Sequence, residues 1–504
     1  MQKLISILFI INITGLVFAQ MPDEVAGRLI EQLTEWPHEK IYVQTDKSVY
    51  LSGERIWLRS HLVEATTHIP AFLSRYVYVE LFNPFDQLIQ RIKIKPDNMG
   101  VYSGYLDLDE ELPEGSYTLR AYTRYMRNQG NEAFFKKTIH VLDPYSLQIE
   151  PISDFAVNGN KVSVNFRFIN PANGDTVIPE IVTLKLSDET AKTISPKDNG
   201  NFNWDFTMTK KRNRTLLLGI VNDRRKYNRY YPMPYDTNDF NITFHPEGGY
   251  LVPGQTCRVG FKAINPSGLS EEVTGILFNS KDEEMAKFAS LKFGMGFFDF
   301  IPETNETYYA LCRTRNSDTK RIELPVPDLR SRTISAGINA ENRLVVSMLR
   351  GNAAPDDSIY ILVHNKGIVY FHQLWRDLSK SFSFAVHDFP TGIISILLLN
   401  SKNEILSERL VFNLDPDDVA ALDTQLSSPT YKRRQLIRLR LRLTDSDTIA
   451  FADNIAIAVT DKNSVHQDTT TNMLSTLLLS SELKGFIESP AAYFKGYTIA
   501  DEDA

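Results

Sequence analysis

An all-β chain of tandem β-sandwich domains, opened by a short helix and carrying a helical insertion near its end, is the fold this sequence predicts. Three observations carry that expectation. The chain has 504 residues, several times the roughly 100–150 of one domain. Its 29 Phe and 22 Tyr suit pleated structure better than helix. Short runs of β-branched and aromatic residues recur between Gly, Pro and Asn clusters, as the strands and turns of sandwiches do.

Residues 1–19 read as a secretory leader, with Lys3 as its positive region, an apolar run over 4–18 and Ala19 at the expected cut. That run is shorter than the ~20 apolar residues of a membrane-spanning helix. Over residues 20–38, Val25, Leu29, Ile30, Leu33 and Trp36 recur near a 3.6-residue period between Pro22 and Pro37. They predict one amphipathic helix packed on the domain that follows.

Strands are expected at 41–43, 56–58, 76–81, 88–94, 100–105, 117–122 and 134–141, and the pattern then repeats. Tyr50, Tyr250 and Tyr431 each stand before a strand, separated from it by a polar or turn-like link. Weaker versions precede strands at 162–168 and 344–348. A later strand rich in Gly and aromatics follows at 200–206 and 294–300, with 382–386 in that place in the fourth unit. A repeat of roughly 90–100 residues suits tandem sandwiches and not a solenoid. The expected units are 39–143, 144–238, 239–330, 331–420 and 421–504. The last is expected to be incomplete, with a strand at 455–459, a helix over 472–486 and an acidic tail at 496–504.

The chemistry-bearing residues are scattered. The net charge of −7 gives no electrostatic footprint for nucleic acid. Cys257 and Cys312 both fall in the third unit and read as buried strand residues, too few for a disulfide framework. The nine His stand singly, without the spacing of a zinc site. Gly248-Gly249 beside Glu247 reads as a tight turn, because no helix follows to aim N–H groups at a phosphate. Acidic clusters at 109–111 and 282–284 lie in turns. No catalytic residue, metal or cofactor is expected. Basic runs occur at 210–212 and 432–434. The surface chosen for ligand binding is Arg224, Arg225, Tyr227, Arg229, Tyr230 and Tyr231, a mixture that stacks sugars or holds an anionic partner. The same residues also suit a hairpin end with snorkelling side chains.

Residues 39–47, with Tyr50 and Gly53-Glu54, resemble the opening of the second macroglobulin domain of alpha-2-macroglobulins. The rest of that unit, closing on 112–123 and Tyr125-Met126-Arg127, resembles a version found in exported proteins of Bacteroidetes. Residues 244–251 and 478–488 extend the similarity. The resemblance implies macroglobulin/Ig-like sandwiches and a place in the periplasm, at the outer membrane or on the cell surface. Many members carry a region like the plug of TonB-dependent receptors, which these residues do not match. Neither cysteine has the Gly-Glu-Gln context of the macroglobulin thioester. The expectation is a non-enzymatic cell-envelope binding or scaffold protein, an elongated rod engaging an outer-membrane protein or an extracellular ligand through sheet edges. Peripheral membrane association is compatible with it. The alternatives are a glycan- or nutrient-binding module and a thioester-independent, macroglobulin-like protease inhibitor.

Overall fold

The computed structural model describes residues 23–144, 148–209, 213–235, 239–316, 319–415, 418, 421–444, 455–461, 465 and 468–494. The leader expected at 1–19, the basic run 210–212 and the tail 496–504 lie outside these residues.

Period-two alternation builds each strand with one face inward. Along Arg55–Glu64, Ile56, Leu58 and Leu62 are buried while Trp57 is exposed. Along Lys161–Ile169, Val162, Val164, Phe166 and Phe168 form the inward row. A strand with one apolar face must bury it against another sheet. The result is four successive units, each a pair of sheets around its own core.

All four units share one plan. In one sheet, of three strands or of four in the second unit, the second strand lies in the middle, antiparallel to its neighbours. Arg55–Glu64 lies between Glu39–Thr45 and Tyr102–Asp107. Lys161–Ile169 lies between Glu150–Asn158 and Phe202–Thr207. Cys257–Ile264 and Arg343–Arg350 hold the same place in the third and fourth units. The opposing sheets have four strands, or five in the first unit. Tandem β-sandwiches are therefore the fold.

The three tyrosines of the repeat precede equivalent strands but differ in role. Tyr50 is buried and donates its hydroxyl to Asp46 Oδ1 at 2.6 Å. Tyr250 is exposed, and Leu251 and Val252 fill the core beside it. The Tyr431 hydroxyl accepts from the Ser428 N–H at 3.0 Å, closing a turn.

Four expectations change. The opening helix, Asp23–Glu35, packs on Ile368–Leu374 of the fourth unit, where Gly367 leaves room for Leu33. Its Ile30 and Trp36 stay exposed. The insertion is two short turns, Met473–Ser475 and Thr476–Ser480, and it stops before 486. Residues 455–459 pair with no described strand; they lie on the first unit, where the Ile455 and Ala456 carbonyls accept from Arg59 and Gln44. Lastly, the chain is not a straight rod. The helix joins the fourth unit, and the segment 468–494 touches the first, third and fourth, so the chain curls back on itself. In the fifth unit, the described residues form one two-stranded sheet, Ala421–Leu426 with Leu439–Thr444.

Candidate functional site

The basic–aromatic residues sit where the second unit meets the first. Asp223 and Arg224 both take positive φ, 48° and 62°, and make the tight turn that starts the strand Arg225–Pro232. Arg224 and Arg225 are exposed there, and Arg225 donates to Gln148 Oε1. Further along, successive side chains point to opposite sides. Tyr230 turns into the core of the first unit, edge-on to Phe85 at 5.0 Å and to Tyr117 at 6.2 Å. Tyr231 turns into its own core against Phe166 at 5.3 Å.

Tyr227 and Arg229 converge on Glu114 of the first unit. The Tyr227 hydroxyl donates to Glu114 Oε2 at 3.1 Å, and Arg229 Nε lies 3.3 Å from Oε1. Two backbone bonds stitch the same place: Glu114 N–H to Asn228 O and Tyr230 N–H to Glu114 O, each 2.8 Å. Burial, helped by the Glu114 charge, pushes the Tyr227 pKa up, and burial takes Tyr231 to about 12. Only 6–8% of Tyr227, Tyr230 and Tyr231 is exposed, so their rings form a joint and offer no open stacking face. Beside them an open cleft of about 490 Å³ is lined by Glu114, Ser116, His140, Arg229 and Tyr230. Glu114 and Arg229 neutralise each other across it.

A second joint links the third and fourth units. Glu247-Gly248-Gly249 forms the tight turn expected there, with φ of 69° and 103° at the two glycines. Glu247 accepts from Ser335 Oγ at 2.8 Å and lies 3.1 Å from Arg409 Nε. Ser407 Oγ donates to Gly248 O at 2.7 Å. A third contact is made by 468–494. Buried Lys40 of the first unit donates to Leu477 O at 3.0 Å and pairs with Glu482. Glu488 accepts from the Ser270 N–H at 2.8 Å.

Sequence reading missed Glu114, Glu247 and Lys40 as organising residues. The one signal was an acid next to glycine in two turns, Glu114-Gly115 and Glu247-Gly248. There, a backbone without a side chain lets another unit approach: a Cβ on Gly115 would sit 3.0 Å from Tyr230 Cβ.

Cys257 and Cys312 are free and buried in opposing sheets of the third unit. Burial raises both thiol pKa values, Cys312 to about 12. Among the described residues, no three His, Cys, Asp or Glu side chains gather as a metal site would need.

Residues 40–137 match the MG2 domain family, so the first unit is a macroglobulin domain. No curated protein matches the chain in sequence. Among solved structures it is similar to trypsin-activated alpha-2-macroglobulin from Escherichia coli, with 12% identity and a TM-score of 0.33, covering 81% of this chain and 33% of that one. Salmonella alpha-2-macroglobulin reacted with methylamine gives 12% identity and 0.31, covering 81% and 32%. The Escherichia coli adhesin FdeC gives 11% and 0.22, covering 58% and 98%. The chain thus spans about a third of the length of these alpha-2-macroglobulins.

Proposed function

We propose that this chain is a non-enzymatic binding or scaffold protein of the cell envelope, acting with an outer-membrane protein or an extracellular ligand. A TonB-dependent receptor is the first candidate partner. The observation that carries the reading is the locking of successive sandwiches at polar joints, buried Glu114 with Tyr227 and Arg229, and half-buried Glu247 with Ser335 and Arg409. Domains held at fixed angles present their sheet edges at set positions, which serves recognition and asks nothing of an active site. The macroglobulin domain at 40–137 supports the same reading. The glycan-binding alternative depended on three tyrosines whose rings are used in packing.

The test is affinity capture. The tagged chain, crosslinked in cells and recovered from envelope membranes, is expected to enrich an outer-membrane protein over a tagged control domain. Recovery of nothing above that control overturns the reading.

A further inference from the structure

In each complete unit a third strand closes the free edge of the second. It also brings particular chemistry. Asp107 stands opposite Arg55 and pairs with it at 2.6 Å. Asp299 stands opposite Arg258 and pairs with it at 2.9 Å. Asp205 stands opposite Ser163 and is bonded by its hydroxyl. Apolar neighbours of these acids, Leu106 and the Phe298–Phe300 pair, enter the cores.

Leu439–Thr444 is the second strand of the fifth unit. Among the described residues, Ala421–Leu426 holds one of its edges and no strand holds the other. Its outward row is cationic: Arg440 and Arg442 on the strand, with Arg438 just before it. Asp423 is across from Arg442, yet among the described residues no ion pair engages any of these three arginines. The inward row is apolar and uncovered, with Leu426 53% and Leu439 45% exposed. The inward residues Ile56, Val259 and Leu344 on the matching strands are wholly buried, at 0%. A two-stranded sheet alone is marginal in water.

We infer that the edge of Leu439–Thr444 that no described strand holds is a strand-addition site for a partner segment in which Asp or Glu alternates with large apolar residues. The added strand runs antiparallel. Its acids stand opposite Arg440 and Arg442, as Asp107 and Asp299 stand opposite their arginines, and its apolar residues cover Leu439 and Leu441. A basic strand is rejected by like charge across the ladder. This rests on the scaffold reading and names where and how one partner docks.

The test uses the full chain and a labelled synthetic strand alternating aspartate with phenylalanine, followed by fluorescence anisotropy. Binding is expected to weaken about tenfold in R440E/R442E and by less in R440Q/R442Q. It should fall with salt, and vanish when lysine replaces aspartate or when the peptide amides are N-methylated. Unchanged circular dichroism establishes that the variants fold. Failure of the aspartate strand to bind, or equal binding of the N-methylated one, overturns the site. So does a dimer in sedimentation velocity that R440E/R442E dissolves, since the occupant is then a second copy. If R440E/R442E still captures envelope proteins at the parent's yield, this site fails while the scaffold reading stands.

Discussion

Asn83 of the first unit donates from Nδ2 to the Tyr230 hydroxyl of the second at 3.2 Å, and both residues are buried. The bond is small beside the ring it orients. Tyr230 belongs to the core of the first unit although it lies on a strand of the second, so the two units share a core residue. Tyr230→Ala removes that ring, a loss of about 3–5 kcal/mol for a buried aromatic. Most of it is expected in the coupling of the two units, because the second unit keeps its own core. Small-angle scattering should then show a wider distribution of shapes and proteases should cut faster between the units. Tyr230→Phe keeps the packing and loses one hydrogen bond, about 1 kcal/mol, with scattering unchanged.

The other joint tests backbone approach instead of a ring. Gly248 has φ 69°, and a Cβ there would lie 2.5 Å from Ile334 O and 2.8 Å from Ser407 Oγ. The backbone carbonyl has no easy way to retreat. Gly248→Ala combines this clash with the cost of a left-handed backbone, which by itself exceeds about 0.4–1 kcal/mol. The third and fourth units are expected to separate. Each keeps its core, so circular dichroism holds while hydrogen exchange speeds up at Thr333 and Ile334. Unchanged exchange at both positions would mean that the turn does not set this joint.

Strand positions were legible because alternation with period two is local. The inward row Val162, Val164, Phe166 and Phe168 can be read straight from the letters, and so can the strand around Arg440. The same alternation says that Tyr227 and Tyr230 lie on opposite faces. It is silent on whether a face meets water or another domain, and therefore a joint was read as a binding surface. Lys40 shows the limit most clearly. A lysine beside Ile41 and Val43 looks like a strand end, whereas its partner, Glu482, lies 442 positions away in sequence. No local pattern carries that distance. The curling of the chain was illegible for the same reason.

The contact around Lys40 carries a pH dependence. His68 Nε2 lies 3.2 Å from Lys40 Nζ, so the neutral imidazole accepts from the ammonium. Burial first, then the charges of Lys40 and Lys366, lower the His68 pKa from the ordinary 6.5 to about 3. The unfolded chain therefore takes up the proton more readily, and acid favours unfolding. The stability from this site is full above pH 6.5 and falls as pH drops towards about 3. Urea titrations at about pH 7.5 and about pH 5.5 stay above the usual carboxylate range and read His68 together with His61, His364 and His372, whose pKa values burial also lowers. His68→Asn suits the local φ of 58° and should reduce the slope between them by the share of this one group. An unchanged slope assigns the acid sensitivity to another group.

The segment 468–494 gives the last prediction, since one ring anchors it. Phe494 is fully buried, edge-on to Phe412 at 5.5 Å, in a small cluster with Ile393, Leu478 and Leu479. Asn472 caps the helix that positions those leucines, accepting from the Ser475 N–H at 2.8 Å. Phe494→Ala loses about 3–5 kcal/mol, a large share of what so small a cluster supplies. The segment should detach while the four sandwiches stay folded, because none of their central cores includes Phe494. Detachment releases Lys40 from Leu477 and Glu482, and Ser270 from Glu488. Amide exchange at Ser270 and around Lys40 should therefore rise together with exchange at 474–480. A rise confined to 474–480 would show that the remaining contacts hold without the ring. Asn472→Ala, which removes only the cap, should give the same pattern more weakly, at about 1 kcal/mol.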